Sequence, residues 1–226
     1  MPERVNVFGL SGVLRLTNLG APETKVNNDC EVLALLEQAG QDALNASGAE
    51  AAIEALMQAC HTRLGDHNAH MKEGALKPGE QDIFVAGAFF VTPDERFHML
   101  VGGVGFPSEQ KRLLVPIDGG HPGIVYATKK KLILKNTDEH PEFRQYLKTA
   151  RMGATIFAPL IWQGKFIGQI IMAAQARNAL RDEDLSALVA VSRVATAVWV
   201  AQGGLAWMQQ AYPPVDGFYV DIAGLK

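Results

Sequence analysis

The sequence predicts an α+β domain built on an antiparallel sheet covered on both faces. Three observations lead there. Two consecutive amphipathic helical patterns lie between residues 27 and 65. The runs "DIFVAGAFFV" and "RFHMLVGGVGF" flank a short turn, Thr92-Pro93-Asp94-Glu95, and neither alternates apolar with polar residues. A long apolar helical segment closes the pattern. An antiparallel strand with no polar face has something covering both sides. The helices can cover one side, so the middle of the chain must roof the other. A sheet with such a lid is how a small-molecule pocket is built.

Taken in order, residues 1 to 26 are irregular, with Gly9, Gly12, Gly20 and Pro22 breaking any period. "NNDCEVLALLEQAGQDALN" then reads as a helix, with capping-box spacing at Asn28 and Glu31 and an apolar stripe of Val32, Leu35, Leu36, Ala39 and Ala43. Ser47 and Glu50 repeat the capping signal for a second helix, striped by Ile53, Leu56, Met57, Cys60 and Leu64 and stopped at Gly65. After a polar loop come the first hairpin and a third strand in "KRLLVPI". "HPGIVYATKK" reads as a short helix with Pro122 in its first turn, and "KLILKN" as a strand. Pro141 is expected to open a second short helix, "PEFRQYLKTA". Two strong strands follow, joined at Gln163-Gly164-Lys165, and the last helix starts near Asp182 with acidic residues in its first turn.

That last helix is apolar on two sides. Leu185, Leu188, Val189 and Trp199 share one; Ala187, Val191, Val194, Val198, Ala201 and Leu205 share nearly the opposite one, at coiled-coil spacing. The surplus seam predicts a homodimer interface, or a cover from the N-terminal helices.

Bulk properties narrow the function. At 226 residues the chain suits one decorated domain, and a formal charge of −3 gives no field to attract nucleic acid or anionic lipid. Two cysteines make no disulfide scaffold, which suits a cytoplasmic location. Glu3 and Arg15 interrupt the N-terminal apolar residues, so no signal peptide is expected. Arg193 and the Gly203-Gly204 pair argue against a membrane span at residues 188 to 207.

Residues 119 to 200 carry a resemblance. "GGHPGIVYATKKKLILKNTDEHPEF" is similar to the segment of GAF domains, relatives of the PAS fold, in which a glycine-led helix precedes a strand and a "dp.F" turn. "APLIWQGKFIGQIIMA" resembles that family's hairpin "Pl...g..iGvl", and "LRDEDLSALVAVSRVATAV" its closing helix. The resemblance implies a six-stranded antiparallel sheet with long helices on one face and a lid of short helices and loop, residues 120 to 150, on the other. It divides the chain into an extension at 1–27, a GAF-like domain at 28–208 and a tail at 209–226. In relatives the pocket holds cyclic nucleotides, bilins, haem, nitrate or other small effectors. The bilin motif "PASDIP" and the cyclic-nucleotide residue set are missing here, so the cofactor is unknown. Relatives that reduce methionine sulfoxide use cysteines around the pocket, and residues 61 to 226 contain none.

Candidate ligand-binding residues are His121, Tyr126, Phe143, Arg144, Tyr146 and His98. His121 would sit at a helix N-terminus on the pocket lip; the bland reading is a tight turn with His121 in solvent. Arg144 suits an anion by a two-pronged grip, or else faces water. Phe143 fits the core, and Tyr126 is a core aromatic whose hydroxyl can reach the pocket. Lys129 to Lys131 read as a solvated helix end, for no aromatics interleave them as nucleic-acid binding would require. His67 and His70 are close enough for one metal ion, but no cysteine pair completes a structural zinc set. Cys30, at an expected helix N-terminus, is the candidate redox thiol, with Asp29 and Glu31 opposing its activation. No Gly-Lys-Ser/Thr follows the glycines, and "VGGVGF" opens no helix, so neither is a nucleotide loop. No residue set singles out a catalytic reaction. The expectation is a sensory, small-effector-binding protein that signals through a helical homodimer or a separate partner protein. The alternatives are an enzyme with His98, His121 and Tyr126 as acid/base groups, and an interaction module with a vestigial pocket.

Overall fold

The computed structural model describes residues 23–148 and 150–220. Two helices, α1 (Glu23–Leu44) and α2 (Ala49–Arg63), lead into the hairpin β1 (Phe84–Val91) and β2 (Phe97–Val104). Then come β3 (Leu113–Pro116), α3 (Gly120–Thr128), β4 (Leu132–Leu134) and the hairpin β5 (Ala154–Trp162) and β6 (Lys165–Ala174). The chain closes with α4 (Asp182–Ala201), α5 (Gly204–Ala211) and β7 (Phe218–Tyr219). The sheet order is β4-β5-β6-β1-β2-β3-β7.

The helices α1, α2, α4 and α5 cover one face and α3 with the 140–148 segment covers the other. Strand residues divide accordingly. Ala86, Ala88, Phe90, Met99, Ile156, Ala158, Ile170 and Met172 join the core under the long helices, where Phe90 stacks on Trp199 with centroids 4.0 Å apart. Val85, Phe89, Leu100, Phe157 and Ile171 face the lid. Small side chains under the helices let them approach closely. At Gly102 a Cβ would come within 2.9 Å of Glu54 N on α2. Val101, the extra residue where the β1–β2 register shifts, gives its carbonyl to Arg112 Nη1 at 3.0 Å.

Several expectations are corrected. The sheet has seven strands, because the tail adds β7, parallel to β3, outside the six antiparallel ones. Leu113 pairs with Phe218, and Val220 is buried beyond them, so the packed unit runs past residue 208. At the other end α1 begins at Glu23, not at residue 28, and runs through Asn28 without capping there. The N-cap of α2 is Gly48 with no side-chain cap; Glu50 instead binds Arg112. The expected single closing helix breaks at Gly203, whose φ of 75° starts α5.

The second short helix is absent: residues 141 and 142 form a turn and 143–147 have no regular structure. Side chains claim the backbone groups a helix would use. Buried Gln110 donates to Tyr146 O (2.8 Å) and accepts from Lys148 N (2.9 Å). Gln145 donates to Leu147 O at 2.5 Å and accepts from Met152 N, just beyond the segment, at 3.2 Å. Replacing Gln110 with alanine is therefore expected to cost about 2–3 kcal/mol, the loss of two hydrogen bonds in a dry site. Amide exchange should speed up in 143–148 and not in β5 or β6; uniform acceleration would contradict the clamp.

The surplus seam of α4 is shared out. Ala187 and Val191 are buried inside the chain, Val194 and Val198 are half-buried, and Ala201 and Leu205 are exposed. Gln202 Nε2 donates to Ala43 O at 2.8 Å, tying the end of α4 to the end of α1. By length and composition α4 could cross a membrane; here half of it is buried against the sheet and helices.

Candidate functional site

Between the lid and the sheet lies a cavity of about 70 Å³. Val85, Phe89, Thr155, Phe157, Ile171 and Ala173 form its floor, and His121, Pro122 and residues 143–147 its walls and roof. Its surface is almost wholly apolar. The two notable polar groups are His121 and Tyr146.

The glycine-rich turn places them. Gly120 has φ 48°, and a Cβ there would collide with Tyr146 Oη; a Cβ at Gly123 would run into the backbone of Asp118. The turn from β3 into α3 thus needs hydrogen at both positions, and it buries His121 to 3 % exposure. Its ring lies 5.8 Å from Phe143 and near-parallel to Phe157, 6.4 Å away. Nε2 faces Glu142 Oε1 at 3.6 Å, an ion-pair distance longer than a hydrogen bond. Nδ1 is buried with no protein partner. Burial lowers the His121 pKa, with Glu142 opposing. Tyr146 Oη is likewise buried and unpartnered, and burial pushes its pKa up to about 12.

A second polar set lies beneath α3. His98 Nε2 sits 3.0 Å from Ile117 O. A carbonyl only accepts, so Nε2 carries the proton and Nδ1 is a bare acceptor. Burial pushes the His98 pKa down to about 4, against the opposing pull of the Ile117 hydrogen bond. Gln169 Nε2 donates to Pro122 O at 3.2 Å and leaves Oε1 unpartnered. Among the described residues, the buried side-chain polar atoms without a partner are these four, and all lie on the lid side of the sheet.

Of the sequence candidates, His121, Phe143, Arg144 and Tyr146 line the cavity; Tyr126 and His98 do not. They pack together instead, rings 5.9 Å apart, with Phe166 against both. Lys129 caps α3 in a left-handed conformation and reaches Gly164 O, and Lys130 and Lys131 are exposed. His67 lies on Phe84 at 4.6 Å, while His70 Nδ1 is 3.0 Å from His67 O and 3.2 Å from Asp82 Oδ2. Cys30 is exposed in the third turn of α1, away from the helix N-terminus. Cys60 is buried on the helix side of the sheet, its thiol pushed up to about 12 by burial.

Sequence reasoning missed Gln110, Gln145, Gln169, His140 and Glu142. Gln169 had a signal, as the polar residue within "IGQIIM". Gln110 had none. His140 and Glu142 matter because the fold folds their turn back over His121: His140 Nδ1 is 3.6 Å from Glu142 Oε1, and the two imidazoles are 6.0 Å apart.

A family profile described as "GAF domain" matches residues 49–199. No curated protein sequence matches the chain. Among solved structures, the GAF domain of a phosphoenolpyruvate-protein phosphotransferase from Coxiella burnetii is similar at 18% identity and a TM-score of 0.64, covering 81% of this chain and 99% of that one. The corresponding Acinetobacter domain gives 14%, 0.61, 76% and 95%. A free methionine-R-sulfoxide reductase from Neisseria meningitidis, in complex with its substrate, gives 13%, 0.61, 82% and 95%. At these identities the likeness is one of fold.

Proposed function

Because the chain belongs to the GAF domain family, whose members are generally small-molecule-binding sensor modules, we propose that it is a sensor whose ligand enters the cavity beneath residues 143–148. One observation carries this reading: an apolar, roofed cavity with His121 Nδ1 and Tyr146 Oη, both unpartnered, at its wall. Unpartnered buried polar atoms are costly, and a ligand with a complementary polar end would satisfy them. At about 70 Å³ the cavity has room for about two or three water-sized groups. The ligand is accordingly a compact molecule with an apolar body and one polar end. Anything of nucleotide size would need the lid to lift.

The lid also offers the response. A ligand that binds the closed lid better than the open one shifts the balance by that difference in affinity. The output in this reading passes through the helical layer to a second copy or a partner protein, docking on the half of the α4 seam left open at Val194, Val198, Ala201 and Leu205. An enzyme has less support. His98 and Tyr126, two of the three acid/base groups an enzyme reading calls on, are away from the cavity, and neither cysteine lines it.

A thermal-shift screen of small alcohols, amides, carboxylates and heteroaromatics tests the proposal, with sedimentation run on any hit. A ligand at a hundred times its Kd should stabilise the fold by about 2.7 kcal/mol. Tyr146→Phe should weaken it about tenfold, the worth of one buried hydrogen bond. Ala173→Leu, which fills the floor, should abolish the response. Binding unaffected by either substitution, or a blank screen, counts against the cavity as the receptor site.

A further inference from the structure

We propose that His121, His140 and Glu142 form a site for a divalent transition-metal ion at the edge of the cavity. One ligand atom from each lies within 4.8 Å of the others. The contacts His121 Nε2–Glu142 Oε1 and His140 Nδ1–Glu142 Oε1 are both 3.6 Å. Donor atoms held about 2.0–2.2 Å from one ion in a tetrahedral arrangement are roughly 3.4 Å apart, so two of the three separations already suit a shared ion. Bringing in the third asks little. His121 is fixed by burial, while His140 is half-buried and Glu142 exposed, free to adjust.

The supporting turn is well held. His140 N donates to Thr137 O at 3.1 Å, and Phe143 N to His140 O at 2.9 Å. Asp138, in the same turn, is anchored by Arg177 at 3.0 Å. Two imidazole nitrogens and one carboxylate oxygen suit zinc, nickel, cobalt or copper rather than calcium or magnesium, which prefer all-oxygen sets. Three protein ligands leave at least one position open, as in metal sites that bind an exchangeable ligand.

His121 belongs to both the metal set and the cavity wall, and this gives the ion a second effect, one that rests on the cavity being a receptor. Without metal, the group facing Nε2 is the Glu142 carboxylate at 3.6 Å, whose negative charge favours the imidazole proton on Nε2 and leaves Nδ1 a bare acceptor. With Nε2 on an ion, a neutral imidazole must carry its proton on Nδ1. Metal loading thus turns His121 Nδ1 from a hydrogen-bond acceptor into a donor, and inverts the polarity a cavity ligand would meet. The ion also staples the first turn of α3 to the turn that leads into the lid.

The test is titration of tag-free protein with Co²⁺ alone, followed by visible absorption and by competition with Zn²⁺. It needs no organic ligand, so it can succeed or fail independently of the receptor reading. One equivalent should give the d–d bands of a low-coordinate N/O site. His140→Ala and Glu142→Gln alter exposed or half-exposed side chains that the core does not need, and each should weaken binding tenfold or more with unchanged unfolding. The double variant His67→Ala/His70→Ala should bind as the wild type does. Absent bands, binding indifferent to His140→Ala and Glu142→Gln, or loss on removing His67 and His70 instead, would each overturn the site. Nitrogen-15 shifts of the His121 ring should report a protonated Nδ1 once Zn²⁺ is bound; an unprotonated Nδ1 in the loaded protein would overturn the inversion.

Discussion

Acidification from pH 6.5 to 4 is expected to cost the fold on the order of 3 kcal/mol through one side chain, His98. In the folded chain this imidazole is fully buried and its pKa is about 4; in the unfolded chain it returns to the ordinary value of 6.5. The sign follows. Below 6.5 the unfolded state takes up a proton that the folded state refuses, so stability is complete above 6.5 and declines as pH falls towards 4. About 2 kcal/mol of the loss should lie between pH 7 and 5, clear of most carboxylate titration. His121, also lowered by burial, pushes in the same direction. The informative comparison is therefore the wild type against His98→Gln, whose amide can keep the donation to Ile117 O. Urea unfolding at pH 7 and 5 should show the loss shrink sharply in the variant. Equal losses in both proteins would mean that His98 is not the responsible group.

Removal of the Arg177 side chain should be comparably severe. Its guanidinium is 4 % exposed and holds three pieces of chain together. Nη2 donates to Glu80 Oε1 at 2.9 Å, Nε to Asp138 Oδ2 at 3.0 Å, and Nη1 reaches Glu80 and the carbonyls of Ala75 and Gln175. Lys77 and Arg177 together push the Asp138 pKa down to about 2. Breaking a buried pair by deleting one partner typically costs about 3–5 kcal/mol, because the remaining charge stays in place without its partner. Arg177→Ala should fall in that range, with amide exchange accelerated in the loop 66–83 and the turn 135–142. Arg177→Met combined with Glu80→Leu should recover part of the loss, since an apolar pair carries no desolvation cost. A loss below about 1 kcal/mol for Arg177→Ala would place the network among exposed ion pairs of little consequence.

The legible parts of this chain were those whose cause is local. Phe84–Val91 and Lys165–Ala174 read as strands because their apolar runs are short, β-rich and bounded by turn residues, and their lack of a polar face already implied a roof. Gly120 and Gly123 read as a tight turn because glycines clustered ahead of a helical segment mark one; Gly120 takes φ 48° and Gly123 packs on the backbone of Asp118, five residues before it. The segment 141–150 misled for the opposite reason. Its helical spacing is real, but two glutamines, Gln145 within it and Gln110 more than 30 residues away, bind its backbone instead. The tail strand Phe218–Tyr219 is two residues long and exists only because β3 offers an open edge. The first half of the α4 seam, Ala187 and Val191, is buried within the chain, while Ala201 and Leu205 stay exposed.

By itself the sequence determined the two opening helices, the two hairpins, the short helix after β3, the long closing helix and the two-sided burial of the sheet, since periodicity, apolar runs and turn chemistry act over a few residues. Tertiary structure alone decided which polar groups meet: His121 with His140 and Glu142, Arg177 with Glu80 and Asp138, Gln110 with the lid. Hydrogen bonds and ion pairs have a range of about 3–4 Å, so which of them form depends on where the packed layers bring distant segments, and no local pattern encodes that.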